Sequence, residues 1–339
     1  MEYEALIKIF QAFATAAIIF WIIFYAPTSI NLSYGYFLAN LVILIPLLFY
    51  FHFKVSKISF NFKKDIFKIL KVSWPLSFGF MIGWIYIYVS SVVLGYFNLI
   101  AENGWYNAAS KIALATIIPA TLVIRSFYPT LSNLYVSSKE KLQKAWDYLA
   151  EIMLVLTVPT VVGGIVAAPK IISLFYGQGF EPSILALQLL MIVIGFSFLN
   201  YPYAIMLIVA DRQKENFWII VAGSVLNVIL SIFFIEEFGF YGSIFSIILV
   251  SLISFIITVF LAKKFAVVVP FDKKLLKVLV SSVASAFIMY LLVNTNFIKE
   301  TNLFIMCGTG AIIYFICIFI FYKIFFPTRK IFSLTQWIQ

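Results

Sequence analysis

Lys111 and Arg125 lie inside an apolar run, residues 104–135, that is long enough to cross a bilayer; Tyr106, Asn107 and Pro119 share it. A cation at mid-depth in hydrocarbon costs ~2.5–3.5 kcal/mol on insertion scales. Ionisable groups there mark substrate paths or buried pairs. Fourteen residues of straight helix rise about 21 Å and bring both cations within about 40° of one face. Two cations on one stripe suit an aqueous path for an anion, with Pro119 between them as a bend or hinge. The bland reading has Lys111 and Arg125 snorkelling to the two interfaces. Arg125 also lies at roughly the depth of Asp147 and Glu151 across the next hairpin, so a buried ion pair with either carboxylate is expected. Asn200 and Asn227 complete the short set of polar residues inside apolar runs.

Other chemistries find little support. The chain has no GxGxxG, Walker loop, HExxH or GxSxG, and no carboxylates at catalytic spacing. Cys307 and Cys317 fall on one apolar run, about 15 Å apart along a helix, too far to bridge. His52 is the only histidine. No enzyme, metal site or cofactor is expected.

The elements that must hold these residues follow from composition. The chain is 63% hydrophobic and 11% charged, with a mean hydropathy of +1.05. Soluble domains carry about 25% charged residues, so this is an all-α polytopic membrane protein. About ten transmembrane helices are expected, at 5–26, 34–52, 73–97, 104–135, 147–168, 183–209, 216–235, 239–262, 275–295 and 301–325. Of the 24 Lys and Arg, only Lys170 and Lys299 fall on one side; Lys111 and Arg125 lie within a span, and the other twenty fall on the opposite side. The positive-inside rule puts that basic side, and both termini, in the cytoplasm of a cell-membrane protein. The net charge of +10 is thereby explained by loops beside a lipid bilayer, and no nucleic-acid partner is expected.

The sequence divides into two spans (1–52), a basic linker (53–72), six spans (73–263), and two accessory spans with a cytoplasmic tail (264–339). The linker interleaves lysines with Phe60, Ile66, Phe67 and Leu70, a pattern for a short amphipathic helix on an anionic leaflet; a solvated linker is the plainer reading.

The stretches "LGYFNLIAENGWYNAASKI", "FYPTLS", "LFYGQGF" and "FGFYGSIFS" occur in that order. Together they resemble the polysaccharide-exporter branch of the multidrug/oligosaccharidyl-lipid/polysaccharide flippase superfamily. Gly104, Tyr106, Ala108, Ala109 and Lys111 match one family stretch. Pro129, Leu131 and Ser132 match a second, and Asn227, Gly239 and Gly242 match later positions. The resemblance implies a two-lobed bundle that moves a lipid-linked oligosaccharide or polysaccharide precursor by alternating access. It implies a polyprenyl-phosphate-linked glycan as substrate, with Lys111 and Arg125 on the phosphate and Asn107 and Tyr106 on sugar. Family members usually have twelve to fourteen spans, and the opening of this chain resembles their segment before the fifth helix, so four helices of the N-terminal lobe are expected to be lacking. The family often has an Asp where this chain has Ser90, which weakens the alternative of a cation-coupled drug or metabolite exporter. A non-transporting fragment or partner subunit is the third reading.

Overall fold

The computed structural model describes residues 2–25, 28–50, 53, 65–266, 273–293, 295 and 301–325. Their regular structure is helical throughout, as lipid requires of a chain that must satisfy its own backbone. The helices are α1 (Glu2–Tyr25), α2 (Ser29–Tyr50), α3 (Asp65–Tyr96), α4 (Ile100–Ala115), α5 (Ile118–Ser137), α6 (Lys139–Tyr176), α7 (Pro182–Val209), α8 (Gln213–Phe238), α9 (Phe240–Ala266), α10 (Lys273–Val293) and α11 (Leu303–Phe325). Eight segments among the described residues are long and apolar enough to cross a membrane: α3, α4 and α5 together, and α6 to α11. Helices α1 and α2 occupy the first two expected runs. Most of the expected amphipathic linker, 54–64, lies outside the described residues, as does the tail 326–339. From Asp65 onward the linker is already the first turns of α3.

The chain divides into two compact units, Met1–Lys71 and Val72–Gln339. In the first, α1 packs on α2. Ile22 lies over Gly35, and Gln11 Nε2 donates to Asn40 Oδ1 at 3.0 Å.

In the second unit α7 is central: it packs on α4, α5, α6, α8 and α9. Trp146, Leu149 and Met153 of α6 and Leu187, Met191 and Met206 of α7 are fully buried. Lipid tails are as apolar as leucine, so burial here is stabilised by close packing rather than by escape from water. Polar cross-links add to it. The Trp146 indole N–H donates to the Pro202 carbonyl at 3.0 Å, and the Trp146 and Tyr203 rings meet edge-on at 5.2 Å.

Helices α8 and α9 meet through two glycines. Gly239 ends α8 with φ +57°, a conformation costly for other residues. Three residues on, Gly242 lies so close to the α8 backbone that a Cβ would overlap the Phe234 carbonyl. The α6–α7 turn uses Gly177 and Gly179, both at positive φ. Glu181 accepts from the Gly179 N–H at 3.1 Å, and this bond with one from its own N–H holds its carboxyl below the usual range.

The α10–α11 hairpin is fastened to α6 at three levels. Lys274 pairs with Glu151, the Tyr314 hydroxyl donates to the Val155 carbonyl at 2.8 Å, and the Lys170 ammonium donates to the Thr301 carbonyl. Between them lies a second core, containing Ala167, Met289, Met306 and Tyr314.

Candidate functional site

The run 104–135, expected as one helix bent at Pro119, is two helices. Backbone bonds tighten at the end of α4: Thr116 N donates to Ala113 O and Ile117 N to Leu114 O, each at 3.1 Å. These are the i→i−3 bonds of a closing turn. Helix α5 then restarts at Ile118 with Pro119 in its first turn, where the missing N–H costs nothing. The proline begins a helix instead of kinking one. Its hydroxyl neighbour Thr116 bonds back to the Ala113 carbonyl at 2.7 Å, which completes the termination.

Both cations are exposed. Exposed positions continue along one helical spacing through Gly104, Lys111, Ala115, Ile118, Leu122 and Arg125. Neither Lys111 nor Arg125 enters an ion pair among the described residues. The opposite face of the same two helices carries Tyr106, Ala109, Ala113, Ala120 and Leu131, all buried.

The expected pairing of Arg125 with Glu151 is therefore corrected: the Glu151 carboxylate is held by Lys274 of α10. Asp147 accepts instead from Gln143 of its own helix, at 2.7 Å. The reason is azimuth and not depth. At this level α5 touches α6 through Phe127, whose ring lies 5.9 Å from that of Tyr148. Arg125 sits on the exposed side of α5, and Glu151 on the side of α6 that receives α10.

Asn107 and Tyr106 separate into two environments. The Asn107 amide donates to Ser91 Oγ at 3.0 Å, Asn103 O at 2.8 Å and Asn103 Oδ1 at 2.8 Å. Asn103 in turn donates to the Ser91 carbonyl at 3.1 Å, so Asn107 belongs to a polar weld between α3 and α4. Tyr106 is 2% exposed and faces inward, beside the fully buried Ser90. There it forms part of the wall of a cavity of about 560 Å³.

That cavity lies within the second unit, between α3, α4, α7, α8 and α9. Trp84, Tyr86, Tyr106, Tyr201 and Phe217 supply its aromatic walls. Gly79 and Gly83, four apart on α3, leave the space open. A smaller cavity of about 140 Å³ shares Tyr86, Ser197, Asn216 and Ile220 with it, and is lined further by Asn200, Ser251, Ser254 and Thr258. Tyr86 and Ser251 hydroxyls lie 3.3 Å apart across this polar end. Asn200 Oδ1 is buried there with no hydrogen-bond partner among the described residues.

Among the described residues, no charged residue lines either cavity. Sequence reasoning had flagged Tyr106 and Asn200, but missed Trp84, Tyr201, Asn216 and Phe217. The paired glycines of α3 were the readable signal for open space. Asn227 is fully buried; its Oδ1 accepts from Ser231 Oγ at 3.4 Å, outside these cavities.

With fold and geometry in hand, known proteins provide a comparison. In a solved structure, the lipid II flippase MurJ in an inward closed conformation is similar, with a TM-score of 0.70 and 19% identity. That match covers 95% of this chain and 67% of the other. An outward-facing multidrug resistance MATE family transporter of the MOP superfamily is similar at a TM-score of 0.57 and 16% identity, over 77% of this chain and 62% of that one. At these identities the likeness is one of fold. No curated protein sequence matches the chain. The model of one protein family, described as polysaccharide biosynthesis protein, matches residues 1–185, more than half of the 339 residues. This multi-pass membrane protein thus belongs to the polysaccharide biosynthesis protein family.

Proposed function

We propose that the protein is a flippase that carries a lipid-linked oligosaccharide or polysaccharide precursor across the cytoplasmic membrane by alternating access. The observation that carries this reading is the exposed stripe holding Lys111 and Arg125 in a chain of the polysaccharide biosynthesis family. Two cations kept exposed within one membrane-spanning segment, Ile100–Ser137, are suited to the phosphate or pyrophosphate of a polyprenyl carrier. The break at Thr116–Ile117 lets the Lys111 and Arg125 segments move relative to each other, with Pro119 fixing the start of the second. Asn107, engaged by Ser91 and Asn103, sets the position of Lys111 one turn away and is a positioning residue in this reading. Tyr106 serves the inner chamber. No bond is made or broken in such a cycle, so no enzymatic role is assigned. In this reading both termini are cytoplasmic, which the lysine-rich loops support. A cation-coupled exporter of drugs would be served by a carboxylate in its chamber, and among the described residues the two cavities are lined without one.

Depletion of the protein in the cell that makes it tests the reading. Polyprenyl-diphosphate-linked glycan should accumulate in the cytoplasmic leaflet, while its assembly continues. An unchanged leaflet distribution would overturn the proposal.

A further inference from the structure

We infer that the bipartite chamber of the second unit is a binding site for an uncharged amphiphile: its hydroxyl- or amide-bearing head enters the polar annex, and its apolar body lies among Trp84, Tyr106, Tyr201 and Phe217. This site is separate from the exposed cationic stripe and holds whether or not the protein moves a lipid-linked glycan.

Four observations converge. The main chamber, about 560 Å³, is within the roughly 300–1,000 Å³ of ordinary ligand pockets, which are mostly apolar and aromatic with a few placed polar groups. The annex, about 140 Å³, gathers several such groups together, whereas the main chamber adds Ser110 and Gln213 to a mostly apolar lining, so the site has a more polar and a more apolar part. Because the two spaces share Tyr86, Ser197, Asn216 and Ile220, one molecule can occupy both.

The second and third observations concern hydrogen bonds. Asn200 Oδ1 is buried and accepts no hydrogen bond from the described residues. A buried acceptor left unpaired is destabilising, a cost that a ligand hydroxyl or amide N–H would remove. The other polar groups of the annex differ in how far they are engaged. Thr258 donates to the Ser254 carbonyl at 2.7 Å and Ser197 to the Val193 carbonyl at 3.0 Å; each hydroxyl oxygen still has lone pairs to accept with. The annex thus presents acceptors to a donor-rich head.

The fourth observation is charge. Among the described residues, neither cavity has a charged lining residue. An ammonium or a phosphate would be taken from water into an aromatic chamber without a counter-ion among those residues, at a large desolvation cost. A neutral head avoids that penalty, and a hydroxylated ring can also lie against the flat faces of Trp84 or Tyr201.

The test uses the full chain in phosphatidylcholine nanodiscs with three photoreactive octyl probes. All carry the same chain-borne diazirine, and their heads are glucose, trimethylammonium or phosphate. The glucose-headed probe should label Trp84, Tyr201 or Phe217 saturably and be displaced by unlabelled octyl glucoside. The charged probes should label these positions at least about tenfold less, because an unpaired charge must be desolvated to enter. Asn200→Leu and, independently, Asn216→Leu should each weaken the glucose-headed probe by about tenfold. Lys111→Gln should leave it unchanged. Labelling that fails to saturate, or that is equal for the three heads in the unaltered chain, overturns the inference even if a variant fails to fold. Since the probe has neither phosphate nor a polyprenyl chain, its result is independent of glycan transport.

Discussion

The Glu151 carboxylate of α6 is paired with the Lys274 ammonium of α10, with side chains only 7% and 18% exposed. A buried pair is costly to split, because the remaining charge keeps its desolvation penalty without its partner's field. Glu151→Ala or Lys274→Ala should each destabilise the protein by about 3–5 kcal/mol. Replacing both by methionine should recover most of that loss. Denaturant unfolding in mild detergent measures it, and equal loss in the double variant would show that the pair is not the unit of stability.

Gly242 sets the closest approach in the second unit. Gly242→Ala pushes a methyl group into the Phe234 carbonyl, backbone that cannot turn aside, and should cost about 1–3 kcal/mol or more. Gly239→Ala, strained only through its positive φ, should cost less. Thermal melting of the two variants checks the order.

Trp146 offers a separation of packing from hydrogen bonding. Trp146→Phe keeps an aromatic ring but leaves the Pro202 carbonyl without its indole donor, for a loss of about 1–3 kcal/mol. Trp146→Ala adds a cavity and should lose about 3–5 kcal/mol. Similar values for both would mean that the hydrogen bond carries the effect.

Much of this architecture can be read in the sequence because the bilayer imposes it. The apolar runs and the placement of lysines depend on local composition, and the structure puts helices at each expected run. Pro119 illustrates the limit: a proline in an apolar run looks the same whether it kinks one helix or starts a second. Glu151 illustrates another. Counting residues from the hairpin gave its depth, as the Phe127–Tyr148 contact confirms, but which face meets which helix depends on packing. Its partner Lys274 comes from a distant helix, to which no spacing pointed. The chamber was half legible. Asn200 stood out as a polar group in an apolar run and Tyr106 through the family resemblance, whereas Trp84 and Phe217 look like any lipid-facing aromatic until α3 and α8 are brought together.

The topology can be probed with an impermeant thiol reagent on intact cells, in a background lacking Cys307 and Cys317. Cysteines placed at Lys141 and Lys214, in the first turns of α6 and α8 beside the α5–α6 and α7–α8 connections, should be protected until the cells are opened. A cysteine at Gln178, in the α6–α7 turn, should react at once. Labelling of Lys141→Cys from outside would reverse the orientation.

Translocation by the purified protein in proteoliposomes tests the central claim most directly. A fluorescent polyprenyl-diphosphate glycan, with a membrane-impermeant quencher outside, reports how much substrate has crossed. The unaltered chain should move it, and Lys111→Gln with Arg125→Gln should abolish movement while the melting temperature and the amount of protein in the vesicles stay the same. Transport at the unaltered rate by the double variant would contradict the account and leave the two cations as interfacial anchors.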